Sequence, residues 1–128
     1  MSAPEESLDL ARVAGQAAAD KLAEEVIGLD VSELVVITDV FLVCSGDSER
    51  QVSAIVDGVE EALLKERRRK PLRREGERDA RWVLLDYGDI VIHVQHAEDR
   101  AFYALERLWR DAAVVDLQVP EHPAAEQA

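Results

Sequence analysis

Asp86, Asp89, His93 and His96 fall within one short stretch, "DYGDIVIHVQH". Carboxylates and imidazoles at that density can hold a divalent cation or move protons. A metal needs its donors on one side of the chain. Side chains on a strand alternate faces, so His93 and His96, three residues apart, point in opposite directions. One His and two Asp without a fourth donor make a poor ligand set, and neither metal nor cofactor is expected. Two Asp flanking a tight turn have a simpler use, accepting hydrogen bonds from turn amides.

Other chemistry fares no better. "CSGDSERQV" reads as a strand, a Gly turn and a helix start, a geometry that can cradle phosphate. It is similar to the Gly-Ser turn of the nucleotidyltransferase superfamily, whose enzymes follow it with two alternate carboxylates on a strand. Here "SAIVDGVEEALL" stays helical, so the catalytic metals have no seat. Cys44, the lone cysteine, sits in the apolar run "FLVCSG" with no basic neighbour, the pattern of a buried structural thiol. No nucleophile elbow is present. The chain reads as a non-enzyme.

The elements around these residues are legible from periodicity. Residues 7–27 are Ala-rich with Ser7 as a cap and Gly28 as a stop, which predicts a first helix. "ELVVIT" and "FLVCSG" predict two strands joined as a hairpin through Thr38 and Asp39. A second helix follows Asp47 or Ser48, with Val52, Ile55, Val59 and Leu63 on one stripe and Glu49 and Glu60 exposed. Residues 65–81 contain Pro71 and Gly76 and read as a surface loop. "RWVLLDY" and "DIVIHVQ" predict another hairpin. "AEDRAFYALERLW" predicts a third helix with Phe102, Leu105 and Trp109 on one stripe, and "AVVDLQV" a short last strand. The order predicts a single α/β domain over residues 1–119, a mixed β-sheet packed with helices, followed by a disordered tail over 120–128.

If Tyr87 and Gly88 form a two-residue turn, Trp82 pairs with His93 and Leu84 with Val91. One face of this hairpin, with Val83, Leu85, Ile90, Ile92 and Val94, is purely apolar and must be core. The other carries Trp82, Leu84, Asp86, Asp89, Val91, His93 and Gln95. Half apolar and half polar, it is either a partly covered second layer or a surface for a protein partner.

Charge narrows the partners. The net charge is -12, yet residues 65–81 hold nine Lys/Arg against four Asp/Glu. The acidic remainder repels phosphate and attracts basic proteins, so RNA would be met through the basic segment, by Arg67, Arg68 and Arg69. No apolar run is long enough to cross a bilayer, and the N-terminus lacks a secretory pattern, so a cytoplasmic protein is expected.

Two stretches, "ITDVFLVCSGDSERQV" and "RWVLLDYGDIVIHVQHAEDRAFYALERLW", resemble the signature regions of the ribosomal silencing factor S family, the Iojap-like proteins. The residues that carry the resemblance are Thr38, Asp39, Gly46, Ser48, Trp82, Asp86, Gly88, Asp89, His93, Tyr103, Leu105, Glu106, Leu108 and Trp109. It implies a nucleotidyltransferase-like fold without the catalytic carboxylates. It also implies binding to the large ribosomal subunit through ribosomal protein uL-fourteen, a steric block to subunit joining, and lowered translation when nutrients are short. Organelle relatives act in ribosome assembly, which keeps an assembly or RNA-binding role through loop 65–81 as the alternative, and some members form homodimers. On this reading the docking surface comprises Trp82, Leu84, Asp86, Asp89, Val91 and His93, with Tyr103 and Arg107 from the third helix. Trp82 is the expected anchor, the two Asp meet basic side chains, and Arg107 braces Tyr103. The strongly basic loop and the acidic tail after Leu117 depart from the family pattern.

Overall fold

Helix α1 spans Glu5–Asp20 in the computed structural model, which describes residues 3–103, 107 and 109–119. Leu10, Ala11, Ala14 and Ala18 form its buried stripe. Both ends differ from the sequence expectation. Ser7 is not a cap: it lies buried in the first turns and donates to Asp39 Oδ2 at 2.7 Å. The helix stops at Asp20, where Leu22 adopts a left-handed φ of 64° and Ala23 N–H returns to Ala18 O at 3.0 Å. Apolar spacing runs on through Val26 and Ile27, but those β-branched residues take up strand β1, Glu24–Asp30, once a partner strand is available.

That partner is β2, Val40–Gly46, antiparallel to β1. The expected hairpin is therefore displaced. "ELVVIT" is not a strand; residues 31–39 form the loop between β1 and β2, closed by Val31 N–H to Asp39 O at 2.9 Å. Helix α2, Glu49–Arg67, agrees with expectation: Val52, Ile55, Val59 and Leu63 are fully buried, and Ser48 is the cap. It ends where Arg68 turns left-handed at φ 56°. Glu60, expected to be exposed, is drawn in by Arg74 Nε at 2.6 Å.

The segment expected to be a plain loop contains an edge strand, β3, Arg73–Glu75, paired to β4, Trp82–Asp86. β4 runs antiparallel to β5, Ile90–His96, and β5 runs parallel to β2. Helix α3 begins at Ala97 and is described through Tyr103; β6, Ala113–Val115, then joins β1. The result is a six-stranded mixed sheet, order β3-β4-β5-β2-β1-β6. Helices α1 and α2 cover one face, where Val40, Leu42, Cys44, Val83, Leu85, Tyr87, Ile90, Ile92 and Val94 join their apolar stripes in one core. Each large side chain buried there contributes roughly 1.5–3 kcal/mol before entropy is charged. The expected tail, residues 120–128, lies outside the described residues.

Candidate protein-docking face

The β4–β5 hairpin forms as expected, but its register is displaced by two residues. Trp82 faces Gln95, Leu84 faces His93 and Asp86 faces Val91. A shift of two preserves the face of every side chain, so the division into an apolar and a mixed face stands. The connection is longer than two residues, closed by Tyr87 N–H to Ile90 O at 2.9 Å. Tyr87 is not an outlying turn residue: it is 1% exposed and its ring belongs to the core.

The mixed face is two regions rather than one. On β5, Val91 and His93 are buried at 8% exposure and Gln95 at 0%. This corrects the expectation that Val91 and His93 present themselves to a partner. They belong to a second layer, where Phe41 of β2 stands edge-on to His93, ring centroids 5.5 Å apart, and to Trp109 at 5.4 Å. On β4, Trp82, Leu84 and Asp86 remain half-exposed. Trp82 Nε1–H donates to His93 Nδ1 at 3.1 Å, which puts the neutral imidazole's proton on Nε2. Burial pushes the His93 pKa down to about 4, so the imidazole is neutral at physiological pH and serves as an acceptor for the indole.

The two carboxylates are engaged within the chain. Asp86 Oδ1 accepts from Gly88 N–H at 2.8 Å, the turn device the sequence suggested, and Gly88 takes the positive φ of 84° that this turn requires. Arg73 reaches Asp86 at 3.8 Å, and Arg69 lies 3.3 Å from Asp89 while donating to Tyr87 O at 2.8 Å. Arg107 is exposed; the Tyr103 side chain it was expected to brace lies outside the described residues.

Most of the basic segment is likewise occupied. Arg67 grips Asp9 through Nε at 2.6 Å and Nη2 at 3.0 Å, and this hydrogen bonding holds the Asp9 carboxyl below its ordinary range. Arg74 forks onto Glu60, and Arg81 bridges Glu98 and Asp99. Among the described residues, Lys65, Arg68, Lys70 and Arg78 make no ion pair. Of the three arginines expected to meet RNA, Arg67 and Arg69 are therefore committed to internal acids, and Arg68 alone projects freely.

The residues weighed for chemistry also have local contacts. Two amides beside the Gly46 turn are taken up, Asp47 N–H by Gln51 Oε1 at 2.8 Å and Gln51 N–H by Ser48 Oγ at 3.1 Å, a near relative of a capping box. The next strand, β3, carries Arg73, Arg74 and Glu75 rather than a carboxylate pair. Cys44 is fully buried, and desolvation pushes its thiol up to about 12. His96 Nδ1 accepts from Glu98 N–H at 3.1 Å, away from His93.

The fold and face can be set beside known proteins. The family described as ribosomal silencing factor during starvation is matched over residues 4–128. The ribosomal silencing factor RsfS of Halalkalibacterium halodurans is 44% identical over 110 residues, 86% of this chain and 93% of that protein. The Bacillus subtilis protein of the same name is 41% identical, covering 83% of this chain and 89% of that one. A crystal structure of a Chromobacterium violaceum protein superposes with a TM-score of 0.75 at 36% identity, covering 79% of this chain and 83% of that one. The chain belongs to the ribosomal silencing factor family.

The match to the silencing factor family continues through the C-terminal residues that the signature pattern left out. Several of its signature residues turn out to hold the β4–β5 hairpin and the neighbouring β1–β2 loop in shape. Asp39 N–H donates to Asp89 O at 3.0 Å, tying the β1–β2 loop to the β4–β5 turn, and Asp86, Gly88 and the Trp82–His93 pair fix the hairpin. Sequence reasoning placed Gln95 on a face that could be a second layer, but missed Phe41 as its neighbour there. The strand alternation of "VFLVCSG" placed Phe41 opposite the core face, and following that alternation across to β5 would have found the contact.

Proposed function

We propose that this silencing factor represses translation by docking on the large ribosomal subunit, through ribosomal protein uL-fourteen, and sterically blocking the small subunit. The observation that carries the reading is the half-exposed strip of Trp82 and Leu84 on β4, beside a buried second layer that holds the indole in place. A rigid aromatic anchor next to an apolar neighbour is the composition of an interface centre. The names of the related proteins support a silencing role. A binding factor of this kind needs no catalytic centre, and it acts in the compartment where ribosomal subunits meet.

The assembly or RNA-binding alternative draws on the basic segment, and the internal pairing of Arg67, Arg69, Arg73, Arg74 and Arg81 works against it. A charge already neutralised by a carboxylate releases few counterions when it meets phosphate. The experiment is sedimentation with separated subunits. Co-migration with the large subunit and loss of joined ribosomes is expected; absence of both overturns the reading.

A further inference from the structure

The strongest unexplained surface is the tip of the β1–β2 loop. Val36 is 102% exposed, Ile37 81% and Leu34 47%. Single exposed apolar residues are ordinary, but three within four positions form a patch. The loop is not loose. Val31 and Val40 at its ends are fully buried, and Val31 N–H closes on Asp39 O. Leu34 N–H and Val35 N–H both return to Val31 O at 2.9 Å. Asp39 is held on two sides, its carboxylate by Ser7 Oγ and its N–H by Asp89 O. A tightly held loop that carries Val and Ile into solvent gains nothing within the chain.

The surroundings say what fits. The first turn of α1 carries exposed Glu5 and Glu6 and is tied to this end of the sheet, Ala3 N–H donating to Asp30 Oδ2 at 2.7 Å. Arg12 and Glu5 neutralise each other in an ion pair. The acidic character of this rim therefore comes from Glu6, from Glu33 in the loop itself, and from Asp30 and Asp39, whose carboxylates are held by the neutral donors Ala3 N–H and Ser7 Oγ. An apolar tip with an acidic rim repels RNA phosphate. It also disfavours a symmetric contact with a second copy, which would set each rim against its own like charges. A basic protein surface with an apolar notch matches both features. The tip is also continuous with the proposed docking face, since Asp39 N–H to Asp89 O joins this loop to the β4–β5 turn. Leu72, 77% exposed, lies against Gly88 in that turn.

The geometry points to the Leu34–Val36–Ile37 tip as a second protein-docking element, which seats in a basic, partly apolar surface of a large-subunit protein. This rests on the large-subunit reading above. It adds a contact where β2 begins, beside the β4–β5 turn, whereas Trp82 lies at the other end of β4.

The test uses the full chain and purified large subunits. The double variant Val36→Ser, Ile37→Ser is expected to bind at least tenfold more weakly than wild type, with an unchanged melting temperature. Glu6→Lys is expected to weaken binding at low salt and to lose that effect at high salt. Binding by the double variant equal to wild type overturns the proposal while leaving large-subunit docking intact. A wild-type chain that fails to sediment with large subunits overturns the docking reading and this one with it. A double variant that dissociates a wild-type dimer in analytical ultracentrifugation, at unchanged subunit affinity, assigns the tip to self-association and overturns the proposal.

Discussion

Trp82 Nε1–H donates to His93 Nδ1 at 3.1 Å across the β4–β5 hairpin, so a half-exposed indole is oriented by a buried, neutral imidazole. The two residues looked like members of one surface in sequence. In the folded chain one is the candidate contact and the other its support.

This pairing makes stability sensitive to acid. The folded pKa of His93, about 4, lies below the value of about 6.5 expected for an unfolded histidine. The unfolded chain therefore binds the proton first as pH falls. His93 costs nothing above pH ~6.5, and its penalty grows down to about pH 4, reaching on the order of 3 kcal/mol. The variant His93→Gln, which keeps an acceptor for the indole, is expected to show a shallower loss of unfolding free energy across that window in urea titrations at stepped pH. Equal slopes for the two proteins would assign the acid sensitivity elsewhere.

Trp82→Ala removes the proposed anchor while leaving the core face of β4 untouched, since Val83 and Leu85 point the other way. Affinity for large subunits should fall at least tenfold, a loss of ~1.4 kcal/mol or more. Circular dichroism must show the fold retained for the result to count. Wild-type affinity in a folded variant would make Trp82 a packing residue only.

Much of this was legible in sequence, and the failures share a physical cause. Helix α2 and the β4–β5 faces were readable because their periods, 3.6 and 2, are set by residues whose burial is local to the element. The end of α1 was not readable, because Val26 and Ile27 satisfy a helical stripe and a strand equally well. Pairing with β2 decides between them, and pairing is non-local. "ELVVIT" failed for the opposite reason: its apolar residues are not core residues at all. The roles of Asp89 and the basic arginines turned on ion pairs between residues far apart in the chain, Arg67 with Asp9 and Arg69 with Asp89, which no spacing rule exposes.

Those ion pairs predict a muted response to charge removal. Changing Arg67, Arg68 and Arg69 together to Gln should trim large-subunit binding and leave its salt dependence nearly unaltered. A protein that met RNA through them would instead lose binding and flatten its salt slope by about one unit per phosphate contact. Affinity measured at several salt concentrations separates the two.

Gln95 is fully buried on the second-layer face, and among the described residues neither Nε2 nor Oε1 has a hydrogen-bond partner. An amide left in that state costs about 1–3 kcal/mol, and an apolar side chain of similar size removes the cost. Gln95→Leu is expected to raise the melting temperature by a few degrees in calorimetry. A fall in melting temperature would show that the amide is satisfied in solution.

Gly76 and Gly58 should respond to alanine with opposite signs. Gly76 has a φ of 81°, and a methyl group there would sit 2.0 Å from the Trp82 carbonyl oxygen. That contact is with backbone, so either the β3–β4 connection or the start of β4 must move. Gly76→Ala is therefore expected to cost ~2 kcal/mol or more and to shift the tryptophan fluorescence, because the displaced strand carries the indole. Gly58 lies inside α2, where an added methyl would come 2.8 Å from Lys21 Cγ, so the exposed Lys21 side chain must change rotamer to clear it. Removing a helix-interior glycine gains roughly 0.5–1 kcal/mol, so Gly58→Ala should stabilise. Urea unfolding of both variants reads the pair of signs. A neutral Gly76→Ala would mean that the edge strand yields without disturbing Trp82.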